Sequence, residues 1–162
     1  MAELVGIGIV VTFSALLPDG GGRGGSRMDL QRLTEKSQEA LRQAQSLATR
    51  RNNQGVDVEH LLAAMLDDQD GLVPKIVARA GADAKSVREA VERALQKIPQ
   101  ITGGGQAPDQ VYVTQRLARL LERAQDEAKG LKDDYVSVEH LLLAMLGEPS
   151  VAGGALKDAG LT

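Results

Sequence analysis

The sequence predicts an all-α protein made of two pseudo-symmetric four-helix repeats that pack as one compact bundle. The first observation is a repeated phrase: VDVEHLLAAML at residues 56–66 returns as VSVEHLLLAML at residues 136–146. With the same offset, residues 33–66 align with 113–146 without a gap, and 14 of the 34 pairs are identical, which indicates a duplicated unit. Only 2% of the chain is aromatic, so the core must come from Leu, Ala, Val, Ile and Met, which favours helices.

Helix start and stop signals divide the first repeat into four helices. Thr34 is a good N-cap for a helix whose small and apolar residues recur at helical spacing up to a turn at residues 52–55. Asp57 caps the second helix, Gly81 stops the third and Asp83 caps the fourth.

The second repeat follows the same order. Thr114 stands where Thr34 stands in the first repeat, and Ser137 takes the capping place of Asp57. The sequence ends where the fourth helix of this repeat would begin, so the eighth helix is expected to be truncated. The domain is expected to span residues 28–162, with repeat one at 28–98, a Gly- and Pro-rich loop at 99–112 and repeat two at 113–162.

Residues 1–27 have no counterpart in the repeat and are expected to be an extension or linker outside the domain. The only charged side chain before their apolar run at residues 4–17 is that of Glu3, whereas a secretory signal carries positive charge there. The run is also too short to span a bilayer. The segment GGGRGGSR lacks the Gly-Lys-Ser/Thr ending of a phosphate loop and is typical of a flexible linker. A second interpretation stays open, in which the apolar run packs on the domain as a short element.

Composition argues against several classes of function. The chain carries 19 basic and 22 acidic residues, well mixed, with a net charge of −3, whereas nucleic-acid partners favour a basic face. Single-strand binding is disfavoured as well, because aromatic stacking platforms are scarce. The absence of cysteine from the sequence excludes disulfides, a thiol nucleophile and thiolate metal ligands.

Each copy of the repeated phrase sets a Glu beside a His, as Glu59–His60 and Glu139–His140. A metal or acid–base site is one interpretation. However, adjacent residues on a helix point about 100° apart, so one pair cannot easily hold one ion. Each Glu lies in the first helical turn, where its charge complements the helix dipole. We interpret the phrase as a helix start that packs its Leu face, and we predict no catalytic, cofactor-binding or metal-binding residues in this chain.

Four runs of the sequence carry a family resemblance. They are MDLQRLTEKSQEALRQAQSLA from Met28, then VDVEHLLAAML, then ALQKIPQITGGG, and finally VYVTQRLARLLERAQDEAKGLKDDYVSVEHLLLAML. Together they resemble the double N-terminal repeat of the Clp ATPase chaperones, and most closely the ClpB disaggregase type. The resemblance covers residues 28–162. It implies an eight-helix bundle in two halves that serves as a mobile module of an ATP-driven hexamer.

The resemblance also implies a site. Substrate contact in this family centres on an apolar groove between the halves and on polar residues beside it. Carried over by position, the substrate-binding residues are Thr34, Leu121, Asp133 and Glu139. His140 departs from the pattern, because the family's groove can be strongly apolar at this point.

The implied function is to engage unfolded or aggregated polypeptides for an ATP-dependent disaggregase in the cytoplasm. The chain itself would not be an enzyme, and ATP and Mg²⁺ would be bound by the rest of the full-length protein. Its partners would be client polypeptides, the hexameric ATPase ring of its own full-length chain and a partner chaperone system, with no nucleic acid and no membrane. The alternative is an adaptor-docking N-terminal domain of a ClpC- or ClpA-type protease-associated unfoldase. A small hydrolase or metal protein is a third and more distant interpretation.

Overall fold

The structure, a computed structural model, describes residues 32–100 and 112–147. The helices and strands of this part are, in chain order, α1 Glu35–Arg50, β1 Gly55–Val56, α2 Val58–Asp67, α3 Leu72–Arg79, α4 Ala84–Gln96, β2 Tyr112–Val113, α5 Gln115–Gly130 and α6 Val138–Leu146. The predicted extension at residues 1–27, most of the loop between the repeats and the predicted helix after residue 147 lie outside the described residues.

The predicted all-α class and the duplication are confirmed. Helices α1 and α5 each have 16 residues and stand at equivalent places in the two repeats. Thr34 and Thr114 cap them in the same way, because each side-chain oxygen accepts the backbone N–H three residues later at 3.2 Å. Asp57 and Asp83 cap α2 and α4 as predicted. Gly81 follows α3 with a φ of +82°, a conformation that glycine adopts without steric cost.

Two short parallel β pairings, one strand pair and one isolated bridge, interlock the two repeats. In one of them β1 lies beside β2, with Val56 opposite Val113. The other pairing stands at the equivalent place in the repeats: Leu33 lies opposite Val136, and the N–H of Thr34 donates to the Val136 carbonyl at 3.0 Å. Each pair therefore joins the residues that precede the first helix of one repeat to the residues that precede the second helix of the other. Because of this exchange, the repeats form one unit rather than two adjacent domains.

The core is built from aliphatic side chains of both repeats. Leu61 of α2 and Leu141 of α6, which occupy the same place in the repeated phrase, are both fully buried. Helix α4 packs against α2 through the buried stripe Val87, Val91, Ala94 and Leu95. Ser37 is one of the buried polar residues: it stands where repeat two has Leu117, and its hydroxyl donates to the Val136 carbonyl at 3.0 Å. That bond satisfies the buried hydroxyl and adds a further link between the repeats.

The caps of α2 and α6 differ in how many groups they hold. The Asp57 carboxylate accepts the N–H of Val58 at 2.8 Å and the Thr114 hydroxyl at 3.0 Å. The Ser137 hydroxyl lies 3.0 Å from Nδ1 of His140. Asp57 therefore holds its own helix and the start of α5, whereas the contact of Ser137 is confined to its own helix.

Asp57→Ala is accordingly expected to cost more than Ser137→Ala. We expect the free energy of unfolding to fall by about 2 kcal/mol in the first variant and by about 0.5–1 kcal/mol in the second, as measured by urea unfolding. Asp57→Asn, which keeps a capping oxygen, is the control and should lose less than Asp57→Ala. Equal losses for the two alanine variants would contradict the unequal roles of the caps.

Candidate functional site

A groove of about 430 Å³ lies between the repeats, where the first half of α1, the end of α2 with α3, and the start of α6 meet. Its apolar lining consists of Ala40, Ala64, Met65, Leu72, Val73 and Val138. Its charged rim consists of Lys36, Glu39, Asp68, Asp70, Lys75 and Glu139, so acidic residues outnumber basic ones four to two. A concave apolar surface with a few polar groups is the usual form of a binding site.

The exchange of strands sets the position of this groove. Because Leu33 pairs with Val136, the caps that follow them, Thr34 and Ser137, start helices α1 and α6 beside each other. Helix α6 also contacts α3, which forms the other wall. The small side chain of Ala40, on the second turn of α1, leaves space between these walls.

Two of the four predicted substrate-binding residues line the groove. Thr34 does so at the N-cap of α1, where its hydroxyl oxygen accepts from the Ser37 N–H at 3.2 Å and lies 3.0 Å from the Ser37 hydroxyl. Glu139 does so on the first turn of α6, with its side chain exposed on the rim. Of these two, Glu139 has the side chain more accessible to a ligand.

The other two predicted residues, Leu121 and Asp133, are not part of the groove lining. Leu121 is fully buried in the core, so a bound chain could contact it only if the helices separated. The carboxylate of Asp133 lies 2.9 Å from Nε2 of His140, and it connects to the groove wall through that ring. A substrate-binding role for each of the four residues stays a prediction.

The histidine of each repeated phrase ties a helix start to the turn before it. In the first copy, Nδ1 of His60 accepts the N–H of Asp57 at 2.9 Å, and Nε2 lies 2.9 Å from the side-chain oxygen of Asn53. His140 makes the same two contacts in the second copy, each at 2.9 Å. Because Nδ1 faces a backbone N–H, it must be the acceptor, and Nε2 carries the proton that it donates. This arrangement supports the interpretation of the phrase as a helix start.

The contacts of the histidine rings to the preceding turns were missed in the sequence, although a signal is present. Polar residues stand seven positions before the two rings, Asn53 in the first repeat and Asp133 in the second. The residues just before them, Asn52 and Lys132, have left-handed backbones with φ of 57° and 61°. Among the described residues, no group of three or more His, Cys, Asp or Glu is placed to hold a metal ion.

The fold and the groove together define a duplicated, all-helical domain with an apolar groove between its repeats. Residues 32–159 match the family described as the Clp repeat (R) N-terminal domain. The chain belongs to this family, and the resemblance seen in its sequence is confirmed.

The curated relatives that this chain resembles include chaperones. The chain is 47% identical over 123 residues to the chaperone protein ClpB of Nitratidesulfovibrio vulgaris, which covers 76% of this chain and 14% of the relative. It is 46% identical over 121 residues to the chaperone protein ClpB of Bacillus cereus, which covers 75% of this chain and 14% of the relative. The chain thus spans about 14% of the length of these relatives.

Solved structures share the fold. The N-terminal domain of Hsp104 from Candida albicans superposes with a TM-score of 0.69 at 26% identity, over 80% of this chain and 83% of that one. The N-terminal domain of the ClpV1 ATPase from E. coli superposes with a TM-score of 0.70 at 23% identity, over 82% and 78% of the two chains. In the part of the chain that the structure describes, no helix is both long enough and apolar enough to cross a membrane.

Burial gives His60 an unusual pKa. Loss of hydration in the core lowers the pKa from 6.5 to about 4; the nearby Asp57 carboxylate opposes this shift, and Arg51 adds to it. In the unfolded chain the same ring takes up a proton near pH 6.5. The unfolded state therefore binds this proton at higher pH than the folded state. As a result, the free energy of unfolding falls as the pH drops from 6.5 to about 4.

Acidification is expected to destabilise the domain in this window, by roughly 3 kcal/mol from His60 alone, since one pKa unit corresponds to about 1.4 kcal/mol. Urea unfolding at a series of pH values from 7 to 4 would measure the decline. In the control variant His60→Gln, which has no titrating ring, stability should change less over the same range. A decline of equal size in both proteins would show that His60 is not its cause.

Proposed function

We propose that the chain is the substrate-engaging N-terminal module of an ATP-dependent protein disaggregase of the ClpB type, and that it binds unfolded or aggregated polypeptides. The observation that carries the proposal is the apolar groove at the junction of the repeats, in a domain 47% identical over 123 residues to a chaperone protein ClpB. Unfolded chains expose aliphatic side chains that folded proteins bury, and such side chains suit a lining of Ala, Val, Leu and Met.

The groove suits weak and reversible binding. Among the described residues that line it there is no aromatic side chain, whereas tight interfaces draw much of their energy from Trp, Tyr and Arg. Its volume of about 430 Å³ is at the smaller end of ligand-sized pockets, so it takes a few side chains at a time. A module that feeds a motor must release its client, and several copies tethered to one ring would supply the avidity that a single copy lacks.

In this proposal the chain itself performs no catalysis. ATP and Mg²⁺ are bound by the remaining length of the protein, which forms a hexameric ring in the cytoplasm and works with a partner chaperone system. The support for a longer protein is that the matched chaperones extend far beyond the 14% of their length that the chain covers. The acidic excess on the groove rim is a further reason to expect polypeptide rather than nucleic-acid ligands.

Filling the groove is expected to weaken client binding. Ala40→Leu adds an aliphatic side chain to the groove wall, and we expect it to lower the affinity for a permanently unfolded client by roughly tenfold, or about 1.4 kcal/mol. Titration of that client, followed by backbone amide shifts, would measure both the affinity and the residues contacted. Ala78→Leu makes the same change at an exposed position of α3 outside the groove lining and should leave the affinity unchanged.

Two outcomes of this titration would contradict the proposal. Equal affinities for the parent chain and Ala40→Leu, with shifts away from the groove, would exclude the groove as the binding surface. Binding to a folded adaptor alone, with no response to the unfolded client, would favour the adaptor-docking function of a ClpC- or ClpA-type domain.

A further inference from the structure

The duplication gives the domain two junctions of the same kind, and the side chains at these junctions differ. At the first junction the start of α1 meets the start of α6, and the groove lies there. At the second junction the start of α5 meets the start of α2, through the pairing of β1 with β2. Among the described residues, the two junctions share the same pairing of backbone segments, and the side chains that stand at equivalent positions differ.

Arg116 closes the second junction by bridging two carboxylates. Its Nη1 lies 3.2 Å from one oxygen of Asp57, and its Nη2 lies 2.9 Å from an oxygen of Glu59. The hydroxyl of Thr114 donates to the other oxygen of Asp57 at 3.0 Å. Glu59 is only 4% exposed, and its buried charge is compensated by the guanidinium group. We call Arg116, Asp57 and Glu59 the Arg116 bridge.

The equivalent positions of the first junction form no such bridge. Lys36 stands in the place of the arginine, and its Nζ lies 3.6 Å from Asp68, just after α2. Ser137 stands in the place of the aspartate and brings no charge. Glu139, the counterpart of the buried glutamate, is exposed and makes no ion pair with any residue that the structure describes.

The side chains at the second junction are also larger or more buried than their counterparts at the first junction. Leu120 on α5 is fully buried, whereas its counterpart on α1, the smaller Ala40, lines the groove. Val58 is fully buried at the second junction, whereas its counterpart Val138 is partly exposed and lines the groove. Among the described residues, larger or more buried side chains thus stand at the second junction, whereas their counterparts at the first junction line an open groove.

We infer that the residues at positions 36 and 137 of the first junction, and at the equivalent positions 116 and 57 of the second, decide whether a junction is open to a ligand or closed by the protein's own side chains. Lys36 and Ser137 keep the groove open, whereas the Arg116 bridge occupies the second junction. In the part of the chain that the structure describes, the domain therefore offers one polypeptide-binding junction rather than two. This inference rests on the proposed function, because it takes the groove as the place where a polypeptide binds.

The chemistry of the two cations explains the difference. A guanidinium group is a planar fork that can bond two carboxylates at once, and Arg116 uses both arms in this way. A lysine ammonium is a single charged centre on a flexible stem. If Lys36 turned away from Asp68 towards Glu139, it would form a single ion pair with an exposed carboxylate, and an exposed ion pair of that kind is weak.

Transplanting the bridge would test the inference. In the double variant Lys36→Arg/Ser137→Asp, the new guanidinium group faces Glu139 and a second carboxylate, as Arg116 faces its own two. We expect its N–H protons to be protected from exchange in NMR spectra of the free protein. We also expect the affinity for a permanently unfolded client to fall by roughly tenfold or more, since the ligand must displace the bridge. The charge-matched control Lys85→Arg/Ser86→Asp, at exposed positions at the start of α4, should leave the affinity unchanged.

The two readouts separate failure of the inference from failure of the proposed function. Fast exchange of the introduced guanidinium protons, as for a fully solvated arginine, would overturn the inference whatever the affinity. A protected guanidinium with unchanged client affinity would show that the bridge forms but that the groove is not the binding surface, which overturns the proposed function. Saturation of the parent chain at two clients would overturn the conclusion that one junction is closed.

Discussion

The exchange of short strands between the repeats is the constraint on which the rest of the structure depends. Leu33 pairs with Val136, and Val56 pairs with Val113, so each repeat begins against the other. The caps that follow these residues start four helices in two adjacent pairs. If each repeat paired within itself, the starts of α1 and α6 would not meet and the groove would have no second wall. A few backbone hydrogen bonds thus decide where every polar and apolar group of the site is placed.

The parts of the fold that depend on local contacts could be predicted from the sequence. Thr34 and Thr114 cap their helices through bonds that reach only three residues along the chain, so a short window contains the whole signal. The strand exchange could not be predicted in this way. Strands of two residues are too short to show an alternating pattern, and their partners lie in the other repeat.

The candidate site could be predicted even less well from local sequence, because distant residues decide the environment of its side chains. Glu59 and Glu139 stand in nearly identical phrases, yet one is buried and the other is exposed. Arg116, far along the chain, pairs with Glu59, whereas its counterpart Lys36 pairs with Asp68 rather than with Glu139. Leu121 illustrates a related ambiguity. An apolar residue on the inner face of a helix has the same spacing whether it belongs to a core or to a groove wall, and in the structure it belongs to the core.

The hydrogen bond from the Ser37 hydroxyl to the Val136 carbonyl has a consequence for how the protein is made. Its two partners are 99 residues apart in the chain, and contacts that close so long a segment form late because the loop entropy must be overcome first. On the ribosome the N-terminal half emerges first, while the strand that completes it has not yet been translated. The first repeat therefore cannot complete its fold until the second repeat has been synthesised. A domain proposed to bind unfolded polypeptides is thus itself incompletely folded during its own synthesis.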